Sequence, residues 1–284
     1  MKELRFAHGL LVQGDNLAWM RSLPEGVVDL VVTDPPFCTG RARRSPKGPQ
    51  DPTLQSMRTL EGRFDDEWTD PEAYRAFLRL RLEQIHRILT PTGSLVLHLD
   101  YRAVHWARFE LDAVFGPKQF LNEIIWHYTG GGRARRYFSR KHDSLLWYAK
   151  GRRWTFHIDE VRQPYKPTSG YARSGIVSRA GKQYRPHPDG TPVDDVWEIP
   201  IINPLAKERT GYPTQKPETL LDRLIRALSS PGELVCDPFC GSGTTPVVAQ
   251  RLRRRWWACD QDGDAIGLTR KRLAELGEEP ESPA

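Results

Sequence analysis

Asp34-Pro35-Pro36-Phe37 is the segment whose residue types most directly suggest chemistry. An exocyclic amino nitrogen on a nucleobase is a poor nucleophile, because its lone pair is delocalised into the ring. Two acceptors can hold its two hydrogens and turn the lone pair outward. The Asp34 carboxylate and the Pro35 carbonyl are such a pair, working by positioning and electrostatic stabilisation rather than by strong basicity. The prolines stiffen the backbone that carries the carbonyl. Phe37 offers a ring on which an extruded base can stack, worth about 1–3 kcal/mol per base. By itself the tetrapeptide also reads as a plain strand-ending turn. That alternative weakens once a second segment is considered.

The second segment is Asp237-Pro238-Phe239-Cys240-Gly241-Ser242-Gly243-Thr244-Thr245, after the apolar stretch 234–236. It reads as the end of a strand, a glycine turn and the start of a helix. Gly241 and Gly243 let the backbone approach a ligand and take positive φ. Thr245 is expected to cap the helix, with Pro246 at its first position. The free N–H groups at that helix start favour an anion. A phosphate loop would need a lysine after Gly243, and none follows. A dinucleotide turn would need a third glycine where Pro246 stands. A small carboxylate is favoured instead, such as the methionine end of S-adenosylmethionine. Asp260 ends the next strand, where an acid can accept hydrogen bonds from ribose hydroxyls.

Strands and helices must bring these turns together. Residues 27–33 are an apolar run broken only by Asp29, as in a strand buried on both faces of a parallel sheet. Further strands are expected at 9–13, 94–99, 122–128, 144–149, 234–236 and 256–259. Helices are expected at 16–21, 71–89, 103–115, 217–228, 246–252 and 264–276. Asp70 suits the N-cap of the second, with Pro71 at its first position. Strands alternating with helices predict an α/β fold with a doubly wound, mostly parallel sheet. Residues 39–66 read as a long functional loop, and 151–205 as an irregular insert rich in Pro, Gly, Arg and Tyr.

The chain has 284 residues, 38% of them hydrophobic, enough for one substantial core. It holds no apolar stretch long enough to span a bilayer, and its start lacks the apolar run of a signal peptide, so a cytoplasmic location is expected. The four cysteines, Cys38, Cys236, Cys240 and Cys259, form no Cys-x-x-Cys pair; neither a metal site nor a disulfide framework is expected. The net charge of +6 suits a polyanionic partner. Two basic clusters lie in loops with no helix to serve, so phosphate contact is the favoured role for Arg41, Arg43 and Arg44, and for Arg133, Arg135, Arg136, Arg140 and Lys141. Arg251 and Arg253 to Arg255 end a helix and complement its dipole.

Taken together, these segments resemble the amino-methylating DNA methyltransferases, the N6-adenine/N4-cytosine family, in the permuted β-class order. That order is the catalytic Asp-Pro-Pro-aromatic segment, then the target recognition region, then the cofactor segment. Gly14-Asp15-Asn16 resembles the motif whose acid meets the cofactor adenine, which implies Asp15. Pro213-Thr214-Gln215-Lys216-Pro217 resembles a segment near the cofactor's carboxylate end, which implies Thr214, Gln215 and Lys216. Arg140-Lys141-His142-Asp143 resembles a basic stretch beside the base pocket, which adds His142 to the DNA contacts.

The resemblance implies a Rossmann-like methyltransferase fold with S-adenosyl-L-methionine as cofactor. Its implied ligands are Asp15, Asp34, Thr214, Gln215, Lys216, Asp237, Phe239, Gly241, Ser242, Gly243, Thr244, Thr245 and Asp260. The implied organisation is a catalytic half at 1–150, a target recognition region at 151–205 and a cofactor-binding half at 206–284. Double-stranded DNA is the implied substrate, with 39–66 closing over it. The resemblance also leaves room for a homodimer and for a cognate restriction endonuclease. Two departures stand out: Phe37 replaces the commoner tyrosine, and Cys38 stands where asparagine is frequent. A C5-cytosine route would need a Pro-Cys pair, and Cys38 follows Phe37 instead. In the family, Asp at position 34 leans to adenine N6, and Ser there to cytosine N4. The expected activity is site-specific adenine-N6 methylation. Cytosine-N4 methylation comes second; an RNA or protein amide methyltransferase and an inactive DNA-binding relative come behind.

Overall fold

A computed structural model describes residues 1–38, 68, 70–130 and 132–281. The expected loop 39–66, with Arg41, Arg43 and Arg44, lies outside the described residues. The chain begins with β1 (Lys2–Phe6), β2 (Gly9–Gln13), α1 (Asn16–Ser22), β3 (Val28–Thr33), α2 (Pro71–Ile88), β4 (Leu89–Leu99) and α3 (Val104–Phe115). β5 (Phe120–His127), β6 (His142–Ala149), α4 (Gly170–Ser174), β7 (Ile176–Val177), β8 (Gln183–Tyr184) and β9 (Val196–Glu198) follow. The last elements are α5 (Glu218–Leu228), β10 (Leu234–Asp237), α6 (Thr244–Arg251), β11 (Arg255–Asp260) and α7 (Gly263–Ala274).

Among the described residues nine strands form one sheet, in the order β1-β2-β11-β10-β3-β4-β6-β5-β9. The central five, β2, β11, β10, β3 and β4, are mutually parallel. From β3 the chain winds through α2 to β4, outward on one side. From β10 it winds through α6 to β11, outward on the other. β3 and β10 are therefore neighbours at the point where winding reverses, and the crevice past their carboxyl ends is where open α/β sheets bind ligands.

From Leu30 onward the period-2 alternation of β3 sends Leu30 and Val32 to a core shared with α5, α6 and α7 and Val31 to a core shared with α1, α2 and α3, which Val28, on the far side of a register shift, also joins. Both faces are covered, which is why the run is continuously apolar. Its one acid, Asp29, is used by the backbone: Oδ2 accepts the Leu234 N–H at 2.9 Å. No helix among the described residues is long and apolar enough to cross a membrane.

Four expectations change. The antiparallel edge strand β1 is additional to the expected strands; its alternation of charged and apolar residues is short and half solvated. The helix expected over 71–89 ends at Ile88, and Leu89 already belongs to β4. There Pro91–Gly93 is absorbed by a register shift opposite Val28 and Leu30. The insert 151–205 is not wholly irregular, because β9 adds to the sheet parallel to β5 and the Trp126 indole donates to the Ile199 carbonyl at 2.8 Å. Finally, α6 starts at Thr244 with Gly243 as N-cap, so Pro246 is its third residue and Thr245 is not the cap. The Thr245 hydroxyl bonds the Asp237 side chain instead.

Candidate active site

β10 ends in Asp237, and the turn after it faces the turn after β3 across one cavity of about 190 Å³. Asp237 is buried, and its Oδ1 accepts from the Thr33 hydroxyl at 2.8 Å and the Phe239 N–H at 3.1 Å. Burial outweighs these hydrogen bonds and raises its carboxyl to about 6. The glycines behind it are obligatory. Gly241 and Gly243 have φ of +48° and +75°, and a Cβ on Gly243 would stand 2.4 Å from the Thr269 hydroxyl. Asp260, at the end of β11, fixes the turn: Oδ2 accepts the Gly241 N–H and Oδ1 the Asp262 N–H, each at 2.9 Å. Burial pushes the Asp260 carboxyl up.

The other end of the cavity is built by α1 and α2. Asp15 caps α1, its Oδ1 accepting the Ala18 N–H at 2.8 Å. Asn16 donates to the Pro238 carbonyl at 2.8 Å and accepts from the Arg81 Nε at 2.8 Å, which ties α1, α2 and the cofactor-type turn together. The Arg81 guanidinium covers the Phe77 ring at 3.6 Å, and Phe77 lies 4.8 Å from Trp68 and 6.1 Å from Phe239. Trp68, Phe77 and Phe239 form an aromatic shelf at this end.

Asp34 sits at the centre. The Lys216 ammonium donates to its Oδ2 and, at 3.1 Å, to the Thr214 carbonyl. The same ammonium lies 5.4 Å from the centre of the Phe37 ring. His98 Nδ1 is 3.0 Å from Asp34 Oδ1. Burial pushes the Asp34 carboxyl up, but Lys216 and then His98 more than reverse this and hold it below the usual carboxylate range. Tyr74, from α2, donates to the Pro36 carbonyl at 3.0 Å and so steadies the diproline turn.

Of the residues expected at the site, Asp15, Asp34, Pro35, Pro36, Phe37, Thr214, Lys216, Asp237, Phe239, Gly241, Ser242, Thr244, Thr245 and Asp260 line this cavity. Gln215 braces the segment behind it, its Oε1 accepting from the Thr210 N–H at 2.8 Å and hydroxyl at 2.7 Å. Gly243 packs on Thr269. Arg133, Arg135 and Arg136 are exposed on the connection between β5 and β6, beside exposed Tyr137 and Phe138. Arg140 stacks on Tyr101 at 4.0 Å and Tyr137 at 4.8 Å. The Lys141 ammonium closes this connection onto the carbonyls of Gly130 and Gly132, and His142 opens β6 exposed. Sequence reasoning missed His98, Arg81 and Phe77. The signal for His98 was a lone polar residue inside the apolar run of β4; Phe77 and Arg81 share one face of α2 by their i, i+4 spacing.

Residues 28–271 match the model of a family described as DNA methylase, N6_N4_Mtase. The chain is 31% identical to the Type II methyltransferase M.HpaI of Haemophilus parainfluenzae, over 93% of this chain and 73% of that protein. It is 28% identical to the Type II methyltransferase M.ScaI of Streptomyces caespitosus, over 86% of this chain and 74% of that protein. Among solved structures it is similar to a cytosine-N4-specific PvuII DNA methyltransferase, with a TM-score of 0.66 and 17% identity over 96% of this chain and 89% of that one. It is also similar to M1.HpyAVI in complex with SAM, with a TM-score of 0.58 and 20% identity over 93% of this chain and 98% of that one. These two likenesses show a shared fold. The family match runs through both turns that meet in the cavity, and a relative above the 30% level spans nearly the whole chain, so the chain belongs to the N6/N4 family of DNA methylases.

Proposed function

We propose that this enzyme transfers a methyl group from S-adenosylmethionine to the exocyclic N6 of adenine, in a base turned out of double-stranded DNA at a specific site. The observation that carries the proposal is Asp34. It is a carboxylate kept ionised at the end of β3, beside a braced diproline turn and an aromatic ring, in the same cavity as the glycine turn after β10.

The cavity fits the cofactor's chemistry. α6 begins there without a side-chain cap, so its first N–H groups are open to an anionic carboxylate. Thr214, Lys216, Ser242, Thr244 and Thr245 would hold the methionine end, and Asp237 would face its ammonium. Asp15 and Asp260 would accept from the adenosine, with Phe239 and the aromatic shelf against its ring. When bound, the cofactor supplies an electrophilic methyl group on a sulfonium.

The chain's own residues then act on the base. Phe37 stacks it. Asp34 and the Pro35 carbonyl take the two amino hydrogens and turn the nitrogen lone pair toward the methyl group. Asp34 has low proton affinity, so it orients and stabilises the developing positive charge rather than stripping the amine beforehand. An aspartate rather than a serine at this position supports adenine. Arg133, Arg135 and Arg136 would meet DNA phosphates, together with the region 151–205 as the reader of sequence.

The test is to incubate the protein with S-adenosylmethionine and unmodified DNA, digest to nucleosides and analyse by mass spectrometry. N6-methyldeoxyadenosine is expected. N4-methyldeoxycytidine would keep the mechanism and replace the base. Absence of both products overturns the proposal.

A further inference from the structure

The side chain that the functional reading leaves without a task is His98. It stands near the end of β4, almost wholly buried, with a carboxylate against each ring nitrogen: Asp34 Oδ1 at 3.0 Å from Nδ1, and Asp143 Oδ2 at 3.3 Å from Nε2. A neutral imidazole has one N–H and one lone pair, so it can donate to only one of the two. The doubly protonated ring donates to both.

We propose that His98 is a positioning residue for methyl transfer: an imidazolium anchored by Asp143 that donates to Asp34 Oδ1 and so fixes the orientation of the carboxylate, whose Oδ2 takes the Lys216 ammonium beside Phe37, toward the amine of the stacked base. The inference rests on the functional reading above. The remaining surroundings suit a fixed charge. Tyr128 donates to the other oxygen of Asp143 at 3.4 Å, which anchors the anchor. Burial, and then the Asp143 charge, push the Tyr128 hydroxyl up to about 12, so it stays a donor. The Phe37 and Trp126 rings pack 5.2 and 5.6 Å from the imidazole, which is buried. The charged groups in its neighbourhood are Asp34 after β3, Asp143 on β6 and Lys216 before α5. Asp100, just past β4, is engaged by Arg102 at 2.9 Å.

The pH dependence has a definite sign. Burial and the Lys216 charge lower the His98 pKa, but the Asp34 charge, with the hydrogen bonds to Asp143 and Asp34, raises it above that of an ordinary histidine. As pH rises through that value the ring loses a proton and can donate to only one of Asp34 and Asp143, so the link from Asp143 through His98 to Asp34 is broken, while Lys216 stays on Oδ2. Turnover should therefore fall on the alkaline side, with cofactor affinity unchanged.

The experiment measures kcat at saturating S-adenosylmethionine and DNA from neutral to alkaline pH for the wild type, His98→Asn and Asp143→Asn. Cofactor affinity is followed by calorimetry, and histidine ring nitrogens of the wild type and Asp143→Asn by ¹⁵N NMR. The wild type should show the alkaline fall. His98→Asn should lower kcat about ten- to hundredfold, the size of one hydrogen bond between charged groups, and abolish the pH dependence. Asp143→Asn should move the fall to lower pH. One histidine should carry protons on both nitrogens at neutral pH, and lose one of them at lower pH in Asp143→Asn. The proposal is overturned if His98→Asn keeps the wild-type pH profile, if cofactor affinity drops in step with kcat, or if no such histidine is seen. The spectra decide the matter where His98→Asn does not fold. A wild type that methylates no DNA defeats the functional reading instead, while the spectra still report on the clamp.

Discussion

Asp34 and Asp237 are two acids in one cavity, and their surroundings push them apart. Asp34 has Lys216 and His98 against it and stays ionised; Asp237 has the Thr33 and Thr245 hydroxyls and the Phe239 N–H, and its carboxyl rises to about 6. Asp34→Ala is expected to lower methyl transfer by at least ~10²-fold, as when one group stabilising a transition-state charge is removed, with cofactor affinity nearly intact. Rapid-quench assays beside calorimetry would check this, and normal turnover would sink the role of Asp34. For Asp237 the expectation is a pH effect on binding. Below about 6 the acid is neutral and no longer attracts an ammonium, so cofactor affinity should fall by up to ~tenfold per pH unit. In Asp237→Asn affinity should be weak and flat over the same range; a flat wild type would refute the assignment. In the unliganded protein the sign is opposite. A raised carboxyl favours the folded state while protonated, so its contribution is present below the ordinary carboxylate range and is lost as pH rises through about 6.

At the scale of elements, the site is a joint between α1, α2 and the turn after β10. Asn16 is the pin, buried and bonded at both ends, to Arg81 and to the Pro238 carbonyl. Asn16→Ala leaves a guanidinium donor and a carbonyl without their partner, so a loss of ~1–3 kcal/mol in stability is expected, together with weaker cofactor binding. Denaturant titration of this variant checks the first, and a stability equal to that of the wild type would show that water replaces the pin. The glycine turn is stricter. Gly243→Ala places a Cβ on the Thr269 side chain in a left-handed conformation, and is expected to cost ~1–3 kcal/mol and to disrupt the start of α6. The simultaneous change Thr269→Ser should recover little of that loss, because the strain is in the backbone as well as in the contact. A full recovery would assign the cost to packing alone.

At the scale of the whole molecule, a net charge of +6 and the exposed arginines between β5 and β6 point one face at a polyanion. Arg133→Ala, Arg135→Ala and Arg136→Ala combined should weaken DNA binding and reduce the slope of log affinity against log salt by roughly 2–3, at ~0.9 for each phosphate that is no longer neutralised. Cofactor affinity should not change. An unaltered salt slope would place the DNA elsewhere.

Much of this molecule was legible in the chain. The continuous run of β3, the acid and diproline that end it, and the glycine turn after β10 are local patterns, and local patterns are set by what neighbouring residues require of the backbone. They determined the alternating strand and helix order, and with it the sheet edge to which both turns belong. Position along the chain could not say that β3 and β10 are adjacent at the reversal of winding, since that depends on long-range strand pairing. Nor could it place His98 between Asp34 and Asp143, contributed by β4, the end of β3 and β6, or spend Lys141 inside its own loop. Capping of α6 went to Gly243 because Thr245 was drawn to Asp237, a competition decided only once both were folded against each other. The residue types were fixed by chemistry that reads along the chain; the partners of each charge were fixed by burial, which exists only in three dimensions.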